Sequence, residues 1–138
     1  MSDSNSYQTN ITVAFGDTDP AGLVYYPNLL HYCHVAMERF FAERCGVSYS
    51  YIISKHHIGF PTVKLECDFV KPFVYGDQVE VFMSVTRIGQ SSVHLTYQLA
   101  KAGIIYAEIR QVHVCMALQS RSSTPIPENL RQALNKLL

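Results

Sequence analysis

Charge is sparse in this sequence: charged residues fill 16% of the 138 positions, and eleven basic side chains offset eleven acidic ones. That balance removes the whole-molecule field with which a protein gathers DNA or an anionic membrane, so neither nucleic acid nor a bilayer is expected as a partner. No apolar run approaches the length of a membrane span, and the polar opening, residues 1–10, lacks the basic start and apolar stretch of a secretory signal. The expected location is the cytoplasm. Cys33, Cys45, Cys67 and Cys115 lie far apart without a CxxC pair, which argues against a disulfide framework and for reduced thiols. Zinc signatures, a phosphate loop, a Gly-x-Ser-x-Gly elbow and a dinucleotide fingerprint are all missing. His56-His57 has no further ligands at suitable spacing and reads as a solvated loop, not a metal site.

What remains is an apolar chain, with 48% hydrophobic residues. A single domain over residues 1–138 is expected, burying roughly 70% of the surface its unfolded chain exposes. Alternation of Ile11, Val13 and Phe15 with polar neighbours predicts a strand over residues 7–15. Pro27 suits a first helical position and Gly46 a left-handed cap, so a helix is expected from about Pro27 to Cys45. Leu29, Cys33, Met37 and Phe41 fall four apart, and Leu30, Ala36 and Phe40 widen that stripe until the helix needs to be surrounded.

The later segments supply the surround. Strands are expected over residues 59–71, alternating through Val63, Leu65, Cys67 and Phe69, over 77–88 (Val79, Val81, Met83, Val85) and over 91–99 (Val93, Leu95, Tyr97, Leu99). The last of these turns through Lys101-Ala102-Gly103 into a further strand. There the apolar set shifts from odd positions (Ile105, Ala107, Ile109) to even ones (Val112, Val114, Met116, Leu118), which predicts a β-bulge near Arg110 and Gln111. A short amphipathic helix with Leu130, Ala133, Leu134 and Leu137 should close the chain. The order implies an α+β domain with one mainly antiparallel sheet curled around the helix.

The densest chemical signal is the loop from Phe15 to Gly22, FGDTDPAG, leading through Leu23-Val24-Tyr25 to the helix start at Tyr26-Pro27. Asp19 precedes proline, which favours an extended backbone and offers no N–H to occupy its carboxylate. First-turn amides of the helix lack intrahelical acceptors and carry the positive end of its dipole. The Tyr26 N–H is therefore a candidate to polarise a carbonyl that Asp19 attacks, or toward which Asp19 activates water. Local chemistry equally allows a plain turn in which Asp17 and Asp19 bond nearby amides.

The stretch GDTDPAGLVYY, with the following PNLLHYCHVAMERFF, closely resembles the 4-hydroxybenzoyl-CoA thioesterase family of the hot-dog fold. The likeness extends over nearly the whole chain, including Phe69-Val70-Lys71-Pro72 and Tyr75-Gly76-Asp77. It implies five or six strands around a central helix, homodimers that pair into tetramers, active sites at the subunit interface, and hydrolysis of an acyl-CoA without a metal or bound cofactor. It also implies Asp19 as nucleophile or general base and the Tyr26 amide as carbonyl donor, with Gly22, Val24 and Tyr25 shaping the site. Family members dedicated to 4-hydroxybenzoyl-CoA carry a carboxylate where this chain has His34. The Cys33-His34 pair and the run Val112 to Cys115 look more like 1,4-dihydroxy-2-naphthoyl-CoA thioesterases. His34 is thus a candidate for binding an acyl hydroxyl, or a core histidine facing a carbonyl.

The Gly-x-x-Ser turn that this family often uses for CoA matches Gly89-Gln90-Ser91-Ser92, with Arg87 just before it. An ordinary hairpin turn is the competing reading, and Lys64, Lys71 and Lys101 are weaker phosphate candidates. Two other functions fit a hot-dog domain: a hydratase or dehydratase, for which the Asp19 loop lacks a histidine, and a non-catalytic acyl-CoA-binding module.

Overall fold

The computed structural model describes residues 5–138. A five-stranded antiparallel sheet is built from β1 (Tyr7–Thr12), β3 (Thr62–Phe69), β4 (Gln78–Ile88), β5 (Ser92–Lys101) and β6 (Ile104–Val114), in the order β1-β4-β5-β6-β3. Helix α1 (Tyr26–Cys45) lies against its concave face. The helix ends where expected, because Gly46 takes φ +67 and donates its N–H to the Phe41 carbonyl. Seven of its side chains are buried: Leu29, Tyr32, Cys33, Ala36, Met37, Phe40 and Phe41. They meet the inward rows of β4 (Val79, Val81, Met83, Val85) and β5 (Val93, Leu95, Tyr97, Leu99), the rows that alternation predicts. The β5–β6 hairpin closes at Ala102 and Gly103, both with positive φ as a two-residue primed turn requires. Helix α3 (Glu128–Asn135) buries Leu130, Ala133 and Leu134 against α1 and β4.

Four expectations need correction. Strand β1 stops at Thr12; Val13 is still buried, but Phe15 is 75% exposed in a 3-10 turn, so its alternation with Val13 does not mean a continuous strand. A helix that periodicity does not announce, α2 (Tyr49–His56), follows α1. Ser48 starts it by accepting from the Tyr51 amide, and it is too short and too rich in aromatic and β-branched residues to show an apolar face. Pro61 divides the segment expected as one strand over residues 59–71 into β2 (Ile58–Gly59) and β3. β2 instead joins β7 (Met116–Ala117) and β8 (Ser122–Ser123) in a small second sheet.

The fourth correction concerns the bulge. Pairing across Arg110 and Gln111 is uninterrupted on both sides, with Glu66↔Arg110 and Leu65↔Gln111 toward β3 and Thr96↔Arg110 and Leu95↔Gln111 toward β5. The inward face of β6 stays on odd residues through Ala107, Ile109 and His113, so polar side chains occupy core-facing positions. The register irregularities fall elsewhere, between Thr62 and Lys64 and between Leu99 and Ala100.

Candidate active site

The two aspartates of the motif do different work. Asp17 is a fastener: its Oδ2 accepts from the Tyr32 hydroxyl at 2.6 Å and the Ala14 amide at 3.1 Å. Its backbone carbonyl accepts from the Tyr25 amide at 3.0 Å and the Asn28 side-chain amide at 2.9 Å. The loop is thereby tied to the start of α1. Asp19 sits at the head of a tight hairpin in which its amide donates to the Leu23 carbonyl and the Gly22 amide donates to its own carbonyl. Gly22 adopts φ +82, the left-handed conformation that closes a three-residue loop and that a Cβ would oppose. Leu23 and Val24 then bond to the Phe73-Val74 segment, which anchors the hairpin to the sheet.

One oxygen of Asp19 is fixed and the other is open. Oδ1 accepts from the Ala21 amide at 2.9 Å and the Leu23 amide at 3.3 Å, whereas Oδ2 has no hydrogen bond among the described residues. The carboxylate is therefore oriented without being consumed.

The helix start supplies the complementary group. Tyr25 occupies the N-cap position with no side-chain cap, its own amide is taken by Asp17, and the Asn28 amide turns back to the Tyr25 carbonyl. Pro27 has no N–H. The Tyr26 N–H has no acceptor among the described residues and stands at the positive end of a twenty-residue helix. Asp19, Val24, Tyr25, Tyr26, Leu29 and the segment Phe69 to Phe73 line one cavity of about 450 Å³. Exposed rings of Tyr25, Tyr26 and Phe69 meet in tilted contacts along its wall, with centroids 5.4 and 6.1 Å apart. Tyr32 and Phe40 are buried in the core, as aromatic residues on an enclosed helix commonly are.

Of the other sequence candidates, the structure brings Lys71 to this cavity, within its Phe69 to Phe73 wall, but not His34, Lys101 or the Gly89 turn. His34 is half exposed two turns further along α1, stacked edge-on against Tyr49 and 3.8 Å from Glu38. Arg87, Gly89, Ser91 and Ser92 lie at the far end of the eleven-residue β4, roughly 30 Å from its Gln78 end. Their turn is bound by its own chain: the Gly89 amide donates to the Ser92 carbonyl, and Arg131 donates to the Gly89 and Gln90 carbonyls at 2.9 and 2.7 Å. A Cβ at Gly89 would lie 2.6 Å from Ser92 Oγ, so a larger residue there would require that hydroxyl to rotate away. Lys101, read as a phosphate candidate, bonds Asp77 at 2.7 Å. Tyr32 and Arg131 are the residues that sequence reasoning missed; one is a single aromatic on a buried helix face and the other one cation among several. Among the described residues, no three His, Cys, Asp or Glu side chains cluster closely enough to hold a metal ion.

Residues 13–134 match the family model described as the Thioesterase-like superfamily. The chain is 33% identical to a 1,4-dihydroxy-2-naphthoyl-CoA hydrolase of Nostoc punctiforme over 94% of its own length and 86% of that protein's. It is 38% identical to a hydrolase of the same name from Thermosynechococcus vestitus over 86% and 82% of the two lengths. In three dimensions it superposes on the 1,4-dihydroxy-2-naphthoyl-CoA thioesterase of Synechocystis with a TM-score of 0.86 and 29% identity, covering 96% and 97% of the chains. A gentisyl-coenzyme A thioesterase superposes with a TM-score of 0.84 and 32% identity, over 93% and 99%. With five antiparallel strands around a central helix and a family match over nearly all of its length, the chain belongs to the Thioesterase-like, hot-dog superfamily.

Proposed function

We propose that this protein hydrolyses the thioester of an aromatic acyl-CoA, with Asp19 as nucleophile or general base and the Tyr26 backbone N–H polarising the thioester carbonyl. The observation that carries the reading is the meeting, on one cavity, of an oriented carboxylate with a free oxygen and a helix-tip amide with no acceptor. Attack on the carbonyl carbon, by Asp19 Oδ2 or by a water it deprotonates, moves negative charge onto the carbonyl oxygen. A fixed amide aimed at that charge typically contributes about 3 kcal/mol. Collapse expels CoA as a thiolate, a leaving group acidic enough to need no proton donor, since thiol pKa values lie near about 8.5. If Asp19 has attacked directly, water then opens the acyl-aspartyl anhydride; otherwise the acid forms in one addition. The aromatic acyl class is supported by relatives named for dihydroxynaphthoyl-CoA and gentisyl-CoA and by the ring-lined wall of Tyr25, Tyr26 and Phe69.

The working unit we infer is a homodimer joined through β3. This edge strand presents Val63 (61% exposed), Leu65 (42%) and Phe69 (51%) to solvent beside unpaired backbone groups, a surface that an isolated chain would leave prone to uncontrolled pairing. Pairing with its two-fold mate satisfies both.

A thiol-release assay across benzoyl-, dihydroxynaphthoyl-, short-chain and long-chain CoA esters tests the reading. Release should be fastest with the aromatic esters. Asp19→Asn should lower kcat about 10²- to 10⁴-fold while keeping the fold, because an Asn Oδ1 still accepts the Ala21 and Leu23 amides. A fully active Asp19→Asn protein would eliminate the mechanism.

A further inference from the structure

The motif loop leaves one tight turn and returns to it. Ahead of the loop, the Val13 amide donates to the Asp77 carbonyl at 2.9 Å, and the Gly76 amide donates to the Val13 carbonyl at 3.1 Å. Behind it, the Val24 amide donates to the Phe73 carbonyl at 2.9 Å, and Leu23 bridges Val74. Residues 14–22 are thus suspended between two attachments to the segment 73–77. Leu23 is also the residue that holds Asp19, since its amide donates to Asp19 Oδ1 and its carbonyl accepts the Asp19 amide.

One side chain shapes that segment. Asp77 is 9% exposed, and its two carboxylate oxygens have separate donors: Oδ2 takes the Val74 amide at 2.9 Å and Oδ1 takes Lys101 Nζ at 2.7 Å. The Asp77 amide donates in turn to the Val74 carbonyl at 3.1 Å, so residues 74 and 77 are joined through main chain and side chain alike. The two carboxylate bonds do different work. Lys101, at the end of β5, ties the turn to the sheet, but its side chain is 41% exposed, where water weakens an ion pair. The Val74 bond fixes the backbone on which Leu23 rests. Without that acceptor the Val74 peptide is free to rotate, and the Leu23 bridge moves with it.

We propose that Asp77 is a positioning residue for the reaction, acting through the Val74 amide and Leu23 to hold the Asp19 carboxylate where it meets the thioester carbonyl. Its part in turnover rests on the hydrolase reading above. Misplacing a reacting group by about 1 Å can cost about a hundredfold in rate, so a small change in the shape of this turn registers in kcat. Asp17 ties the middle of the loop to α1, whereas Asp77 governs both of its ends.

Two substitutions at one position separate geometry from charge. Asp77→Asn loses the charge and keeps an oxygen for the Val74 amide; Asp77→Glu keeps the charge and the reach to Lys101 but carries its oxygens one methylene past that amide. Steady-state thiol release should show kcat lowered about tenfold in Asp77→Glu with KM little changed, and a far smaller loss in Asp77→Asn. Lys101→Met, which removes the ion pair alone, should lower the melting temperature and leave kcat at the wild-type value. A carboxylate needed only for its charge gives the reverse order, with Asp77→Glu faster than Asp77→Asn. Amide hydrogen exchange reads the same geometry without turnover: the Asp19 and Val24 amides should exchange faster in Asp77→Glu than in Asp77→Asn, while the amides of β5 keep their protection. Asp77→Ala, which deletes the acceptor without adding bulk, should behave as Asp77→Glu and takes its place if that variant does not fold. Undiminished kcat in the variants without the Val74 bond, or a loss in Asp77→Asn as large as theirs, overturns the positioning role. The expected exchange pattern in a protein whose wild type releases no thiol sustains the anchor and overturns the hydrolase.

Discussion

Tyr32→Phe isolates the fastening of the catalytic loop from the packing of the core. The ring of Tyr32 is buried in the α1 core and would be retained, so the substitution deletes one hydrogen bond, 2.6 Å long, to the Asp17 carboxylate. That hydroxyl remains a donor at every working pH, because burial first and then its bond to Asp17 push its ionisation far above the usual tyrosine range. A hydrogen bond to a charged group is worth about 1.5–3 kcal/mol. Asp17 is only partly buried and keeps the Ala14 amide, so the lower part of that range, about 1.5–2 kcal/mol, applies. For a domain of this length that corresponds to a fall in Tm of roughly 6–8 °C. Because Asp17 also holds the Tyr25 amide and Asn28, its loosening should misplace Asp19 relative to the Tyr26 N–H and lower kcat about tenfold, with KM little changed. Thermal unfolding by circular dichroism and steady-state thiol release at 25 °C measure the two effects. A lowered Tm with undiminished kcat would show that the loop keeps its geometry without this bond, and the positioning argument would fail.

Two further substitutions probe other parts of the molecule. Leu65→Glu, which puts a charge at the centre of the exposed β3 edge, should give a monomer in sedimentation experiments and abolish thiol release; an active monomer would refute the shared site. Asp77 accepts from Lys101 Nζ and the Val74 amide, and although burial alone would raise its carboxyl, these two partners hold it below its ordinary value. With the folded value below the unfolded one, its stabilisation is present above the unfolded pKa and is lost as pH falls through the folded value. Tm of the wild type should therefore drop below about pH 4 more steeply than that of Asp77→Asn, and parallel curves would count against it.

The central helix and the β4 and β5 rows were legible because each obeys its own period: Leu29 to Phe41 at four-residue steps, Val79 to Val85 and Val93 to Leu99 at two. The Asp19 loop was legible because a carboxylate, a proline, a glycine and a helix start fall within a dozen residues. Hydropathy misled where side chains face something other than this chain's own core. Val63, Leu65 and Phe69 are apolar yet exposed on an edge strand, and Gln111 and His113 are polar yet turned inward on a cavity. Reading the second pattern as a bulge assigned to backbone geometry what belongs to side-chain chemistry. The remoteness of Gly89 and Arg87 from Asp19 had no local signal, since it depends on the length and direction of β4.

The uncovered tip of α1 has a cost that protein engineers would notice. Serine, threonine, aspartate or asparagine ahead of a helix commonly adds about 1 kcal/mol of stability, and this chain places Tyr25 there, with a side chain that caps nothing. A substitution chosen for thermal robustness at that position would lay a lone pair, or a full negative charge, beside the donor that the reacting oxygen needs. Heat resistance and turnover thus pull against each other within one backbone turn, and sturdier variants should draw their gains from loops and surfaces elsewhere.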